Sequence, residues 1–226
     1  DILNTYEKLN SGRMLDIVEK EIINEAENKP KYSEYIKYLG QVDKESGYEY
    51  WARQLEGYEC AAEIRPMSRP EAKSEQMQRT AKILDTELYL KLGNIVKEKK
   101  VTYSTICEAA WGIVLQMYNH TGDVVFGKVV SGRNVPVKGA EEMVGLFINT
   151  IPVRVVAGEG ESVMELLLKQ VKTSAEAEKY DYISLAELQS RTAMGGEMIK
   201  TLYAFENYYT NENYCVESEY ALHLTP

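Results

Sequence analysis

The sequence predicts an α/β or α+β fold in which a mixed β-sheet is covered by helices. Three observations carry this reading. Several stretches place apolar residues at helical spacing, residues 123–133 and 144–155 read as apolar strands, and the two kinds of segment alternate along the chain. With 226 residues, 44% of them hydrophobic, the chain can bury a sizeable core as one large domain or two small ones.

Taken in order, Ile2, Leu3, Tyr6 and Leu9 open a helix that Ser11-Gly12 stops. The helical pattern resumes from Leu15 to about Ala26 and breaks at Pro30. Ser33 is a candidate N-cap for YSEYIKYLGQ, and DKESGYEYWARQLEG gives a short helix ending at Gly57. Residues 58–76 mix Pro, Arg and Ser as a loop does, and MQRTAKIL (77–84) alternates as a strand would. LYLKLGNIVKEKK returns to helix. The clearest helical pattern is TYSTICEAAWGIVLQMYNHTG. Thr102 or Ser104 caps it, Ile106, Ala109, Ala110, Ile113, Val114 and Met117 face one side, and Gly122 ends it. A strand, DVVFGKVV, then runs into a Gly-containing loop and is followed by the strand GLFINTIPVRV. A turn at GEGE, an amphipathic helix VMELLLKQVKTSAEAEKY, a final strand KTLYAFENYY and an irregular tail after Thr210 complete the chain.

Composition excludes several function classes. A net charge of -9 is the wrong sign for a nucleic-acid binder. No apolar run reaches the length of a membrane span and no signal peptide is visible, so a cytoplasmic protein without membrane partner is expected. Cys60, Cys107 and Cys215 are far apart and odd in number, with no CxxC pair. That pattern indicates neither a zinc site nor a disulfide framework, and fits a reducing compartment. The first residue, Asp1, sits within a helical pattern, and the chain is therefore expected to begin inside a larger protein.

The motifs that invite catalytic readings fall short. GKVVSGRN has the glycine spacing of a phosphate-binding loop, but Arg133 and Asn134 replace the Lys and Ser/Thr, and Pro136 replaces the start of the helix that would hold the anion. The two histidines, His120 and His223, have no Ser, Cys or Asp at relay spacing, and His120 suits a helix C-terminus. Glu141-Glu142 reads as a solvated helix start. The polar pair Asn149-Thr150, set inside an apolar strand, asks for an explanation. Either backbone partners satisfy it or it faces a cavity where polar groups are wanted.

A family resemblance answers part of that question. The stretch DVVFGKVVSGRNVPVKGAEEMVGLFINTIPVRV resembles the condensation domains of nonribosomal peptide synthetases: Ser131, Gly132 and Arg133, then Gly139, Glu141, Glu142 and Met143, then Gly145, Phe147, Asn149, Thr150 and Arg154. YSEYIKYLGQVDKESGYEYWARQLEG, YDYISLAELQ and LYAFENYY are similar to further segments of the family, in order. The resemblance implies one lobe of a chloramphenicol-acetyltransferase-like fold, an α+β sandwich. Residues 1–57 would be helices linking to a missing N-terminal lobe and 58–226 the C-terminal lobe, with a floor-type loop from Ser131 to Met143.

The same resemblance implies a parent that joins a carrier-tethered acyl or aminoacyl thioester to an acceptor amine, forming an amide. The family's His-His-x-x-x-Asp-Gly signature is expected upstream of Asp1, so no catalytic residue is assigned in this chain and the chain alone is expected to be inactive. No metal and no directly bound cofactor are expected. The implied partners are peptidyl or acyl carrier proteins bearing 4'-phosphopantetheine, the missing N-terminal lobe, and an adenylation domain of the same assembly line. Asn149, Thr150, Ser131 and Arg133 would face the substrate tunnel. For Asn149 the alternative is a strand residue bonded to neighbouring backbone, and for Arg133 a surface or interlobe ion pair. Two other functional readings stand beside this one: a non-catalytic carrier-protein interaction module, and a stand-alone coenzyme A-dependent acyltransferase of the same fold.

Overall fold

The computed structural model describes residues 2–64 and 79–206. Four helices come first: α1 (Ile2–Asn10), α2 (Leu15–Asn28), α3 (Tyr32–Leu39) and α4 (Lys44–Leu55). Helices α5 (Thr86–Lys99) and α6 (Tyr103–Asn119) lead into strands β1 (Asp123–Val130) and β2 (Asn149–Val156). Helices α7 (Val163–Ala177) and α8 (Leu185–Ser190) and the short strand β3 (Leu202–Tyr203) follow. The sheet order is β2-β1-β3, with β2 antiparallel and β3 parallel to β1, so the sheet is mixed as expected.

Period-two alternation in β1 and β2 builds two packed faces. Val124 and Phe126 join Val153 and Val155 on one face, where Leu115 of α6 and Leu166 of α7 cover them. Val125 points the other way and packs with Leu55 and Met198. A third cluster gathers Tyr50 and Trp51 of α4 with Ile151, Ala177, Ile183 and Leu188. A fourth sets Tyr35 of α3 against Ala140, Met143 and Phe147. Helices α3 and α4 are thus anchored by aromatic residues to the sheet and its loops.

The local signals explain most element ends. Asp43 caps α4, Thr102 caps α6, and Ser162 with Glu165 forms a reciprocal capping box on α7. Five expectations are corrected. The residue before α3 is Lys31, not Ser33, and makes no side-chain cap. Helix α6 ends at a left-handed His120 before it reaches Gly122. Its buried stripe is Thr105, Glu108, Ala109, Gly112, Leu115 and Gln116, whereas Met117 is exposed. The stripe is rotated because Gly112 lets the helix press onto Val155, whose side-chain atoms stand 2.6–2.8 Å from where a Cβ would be. Finally, residues 79–84 form no strand and residues 145–148 stay outside the ladder that begins at Asn149. Residues 77–78 of the expected strand, the end of the final strand, Cys215, His223 and the tail after Thr210 lie outside the described residues.

Candidate functional site

The loop leaving β1 is built around three consecutive residues. Ser131 Oγ accepts a hydrogen bond from the Arg133 backbone N–H at 3.4 Å. Gly132 adopts φ +64°, open to glycine at little cost, and lies against the Phe147 carbonyl. Arg133 then turns back over its own loop. Its Nη1 donates to the carbonyls of Ala140 at 2.5 Å, Met143 at 3.0 Å and Glu141 at 3.3 Å. Its guanidinium carbon sits 4.3 Å from the centre of the Phe147 ring, a cation–π distance. The guanidinium therefore clamps the turn at 139–143 onto Phe147 through backbone carbonyls, and among the described residues no carboxylate takes part.

At the other end of this segment, the Asn149 amide is committed to backbone. Nδ2 donates to the carbonyls of Asp181 at 2.6 Å and Ile183 at 2.7 Å. Two carbonyl acceptors on one nitrogen also settle which way the amide is turned. Thr150 lies on the opposite face, paired with Val129, and its methyl packs over Gly127. Asn149→Ala is expected to destabilise the fold by about 2–3 kcal/mol, because two part-buried carbonyls lose their donor together. Urea denaturation with an unchanged m-value checks this; a loss below about 0.5 kcal/mol would contradict the staple.

Between these two anchors the chain presents an open groove of about 520 Å³. Ser131, Arg133, Leu146, Phe147, Ile148 and Phe205 contribute to its walls. Val144, Leu146 and Ile148 are 78%, 74% and 61% exposed, whereas Phe147 between them is buried. Tyr32 Oη donates to the Leu146 carbonyl at 2.5 Å and fixes the height of this edge. Of the four residues singled out from sequence, Ser131 and Arg133 line the groove. Asn149 and Thr150 begin the strand just beyond it.

Three charged sites were given no role by sequence reasoning, although Arg154 belongs to the family motif. Glu108 is wholly buried, with Lys128 Nζ 2.6 Å from one carboxylate oxygen and Ser174 Oγ donating to the other at 3.2 Å. Arg154 holds Asp123 bidentately at 2.9 and 2.6 Å and donates to the carbonyls of Gln54 and Glu56, joining α4 to the sheet. Asp181 sits on the loop that Asn149 staples. The detectable signal in the first two cases was a charge inside an apolar run: Lys128 in DVVFGKVV, Glu108 in TICEAAWG and Arg154 in TIPVRVV.

Burial, with the neighbouring Glu178 charge adding to it, pushes the Asp181 carboxyl up from 3.8 to about 6. A carboxyl raised in the folded state opposes folding when ionised. The rise corresponds to about 3 kcal/mol of lost stability, fully expressed above about pH 6 and relieved as pH falls towards 4. Asp181→Asn is therefore expected to be about 3 kcal/mol more stable than the parent at pH 8, with the gap shrinking to about a third near pH 4.5. Paired denaturation curves at the two pH values test this, and a pH-independent gap would contradict it.

Among the described residues no three His, Cys, Asp or Glu side chains gather to hold a metal ion. No described helix is long and apolar enough to cross a membrane. His120 is exposed at the end of α6, distant in role from the groove, and makes no hydrogen-bonded relay among these residues.

Comparison with known proteins places this geometry. Residues 1–223 match the Condensation domain family. The chain is 42% identical over 188 residues to Bacitracin synthase 1 of Bacillus licheniformis, covering 82% of the chain and 4% of that protein. It is 38% identical over 208 residues to Surfactin synthase subunit 2 of Bacillus subtilis (strain 168), covering 92% of the chain and 6% of that protein. The chain thus spans a small fraction of the curated relatives it matches. Among solved structures, the first condensation domain of the CDA synthetase superposes with a TM-score of 0.59 at 19% identity, covering 90% of this chain and 43% of that one. The X-domain from teicoplanin biosynthesis gives 0.60 at 18%, covering 82% and 38%. These likenesses establish the fold, a mixed sheet and helices of the chloramphenicol-acetyltransferase-like type, and the match across nearly every residue establishes the lineage: this chain belongs to the condensation-domain family.

Proposed function

We propose that this chain is the C-terminal part of a peptide-synthetase condensation domain whose parent forms amide bonds. The observation that carries the reading is the family match over residues 1–223, combined with solved condensation domains more than twice the length of the part that superposes. In the reaction, the acceptor amine attacks the donor thioester carbonyl. The C–N bond forms, the C–S bond breaks, and the amine proton passes to a base while the carrier thiol leaves. The histidine of the family's signature is the expected base and is not among these residues. What this chain contributes is shape: the groove walled by Ser131 and Arg133, with Asn149 and Thr150 fixing the strand that borders it. Arg133 and Asn149 act as positioning residues, since their donors hold backbone carbonyls. The benefit is orientation of two tethered reactants.

The partners on this reading are carrier proteins bearing 4'-phosphopantetheine, an adenylation domain and the remaining lobe, in a cytoplasmic assembly. The test mixes this chain with donor- and acceptor-loaded carrier proteins and looks for product by mass spectrometry. No amide above background is expected, whereas a longer parent segment that includes the histidine signature should turn over. Turnover by this chain alone would overturn the assignment. In that longer segment, Asn149→Ala separates the two roles of the amide. A staple lowers stability and leaves activity per folded molecule near the parent's; a substrate contact lowers activity per folded molecule about 10-fold or more.

A further inference from the structure

The loop after α7 carries a buried carboxylate that no cation pairs with among the described residues. Asp181 is only 5% exposed, yet among the described residues no cation and no side-chain donor meets its carboxylate; its own backbone N–H is its hydrogen-bond donor. Lys179 is exposed and lines the same groove as Asp181, without an ion pair to it among the described residues. The carboxylate borders a groove of about 370 Å³ whose walls include Tyr38, Val135, Pro136, Glu178 and Tyr182. Cavities of this size suit small ligands.

The frame around this charge is rigid. Asn149 holds the Asp181 and Ile183 carbonyls, Trp51 Nε1 donates to the Tyr180 carbonyl at 3.1 Å, and Tyr182 Oη donates to the Asp43 carbonyl at 2.8 Å. Three side chains from β2, α4 and the loop itself therefore fix the backbone that carries the carboxylate. Left so, a lone buried carboxylate is a cost with no return inside the chain.

We propose that this groove binds a small organic ammonium ion, with Asp181 as the counter-charge and the Tyr38 and Tyr182 side chains as walls. The chemistry selects this class. A hard divalent cation needs several oxygen ligands, and the groove offers one buried carboxylate with Glu178 exposed at its lip. An alkylammonium needs one carboxylate and gains from aromatic faces and apolar walls such as Val135 and Pro136. Anions are repelled. Protons compete with the ligand for the same carboxylate. Of the other titratable groups facing it, Tyr35, Tyr38 and Tyr182 have phenols pushed up first by burial, so they stay neutral as Asp181 titrates. Glu178, Lys179 and Tyr180 complete the set.

The experiment titrates n-butylammonium chloride into the full chain at about pH 8, with sodium chloride at matched ionic strength as control, and follows backbone amide shifts by NMR. Saturable millimolar binding is expected, centred on residues 179–183. It should weaken at least tenfold at about pH 5, where the proton occupies Asp181. Asp181→Asn should abolish it and Tyr38→Leu weaken it several-fold, whereas Glu159→Gln, remote from the groove, leaves it unchanged. No saturation at pH 8, an equal response to sodium, or full binding in Asp181→Asn would overturn the proposal. The pH pair on the unaltered chain decides the matter even where a variant does not fold.

Discussion

Gly132→Ala is expected to cost about 3–5 kcal/mol, an unusually large loss for one added methyl group. Two effects add. At φ +64° an L side chain strains the left-handed backbone by roughly 1–2 kcal/mol. The new Cβ would also stand 1.9 Å from the Phe147 carbonyl oxygen and 2.9 Å from its carbon. These are backbone atoms, so no rotamer change relieves the clash; the loop must separate from residues 145–148, at roughly 1–3 kcal/mol of overpacking. Gly160 supplies the control. It has φ +75° but nothing within 4 Å of its absent Cβ, so Gly160→Ala should show the conformational part alone, about 1–2 kcal/mol. Urea denaturation of both variants measures the difference. Equal losses would mean that the close approach of Gly132 to Phe147 is not tight, and the glycine in the Ser-Gly-Arg sequence would then serve the turn only.

That contrast also shows what the sequence could and could not reveal. The turn at Gly132 is legible, because a glycine after a strand announces a bend. What it abuts is not, since Phe147 comes fifteen positions later and outside any ladder. The same distance problem governs Asn149. Its polar character in an apolar run was visible, but its acceptors lie 32 and 34 residues further on, so the residues alone left both a cavity and a backbone partner open. Helix α6 was legible in its start and cap, because Thr102 and its spacing are local. Its buried face was not, because that helix is apolar on most sides and the decision rests on Gly112 meeting Val155 and Glu108 meeting Lys128. The family motif pointed to Ser131 and Arg133, and both border the groove; that Arg133 would spend its charge on three carbonyls follows only from the folded turn.

Lys128→Met should be the second severe change, about 3–5 kcal/mol, through a charge it leaves behind. Glu108 is fully buried, and the Lys128 ammonium 2.6 Å away is its cation. Without it the carboxylate keeps one donor, the Ser174 hydroxyl at 3.2 Å, in surroundings where an unpaired charge is poorly solvated. Removing both charges, as Glu108→Gln with Lys128→Met, should recover most of the loss, because the buried charge is gone and the chain lengths still fill the space. The surface bridge formed by half-buried Lys8 with Glu21 at 3.2 Å and Glu25 at 3.3 Å gives the scale: Lys8→Met should cost far less than Lys128→Met. If Lys128→Met resembles Lys8→Met, or if the double variant is no better than the single one, the pair is not what ties β1 to α6 and α7. If the ordering holds, the strand that delivers Ser131 and Arg133 to the groove is held from beneath by charge as well as by the apolar core, which explains a lysine in the middle of an otherwise apolar strand.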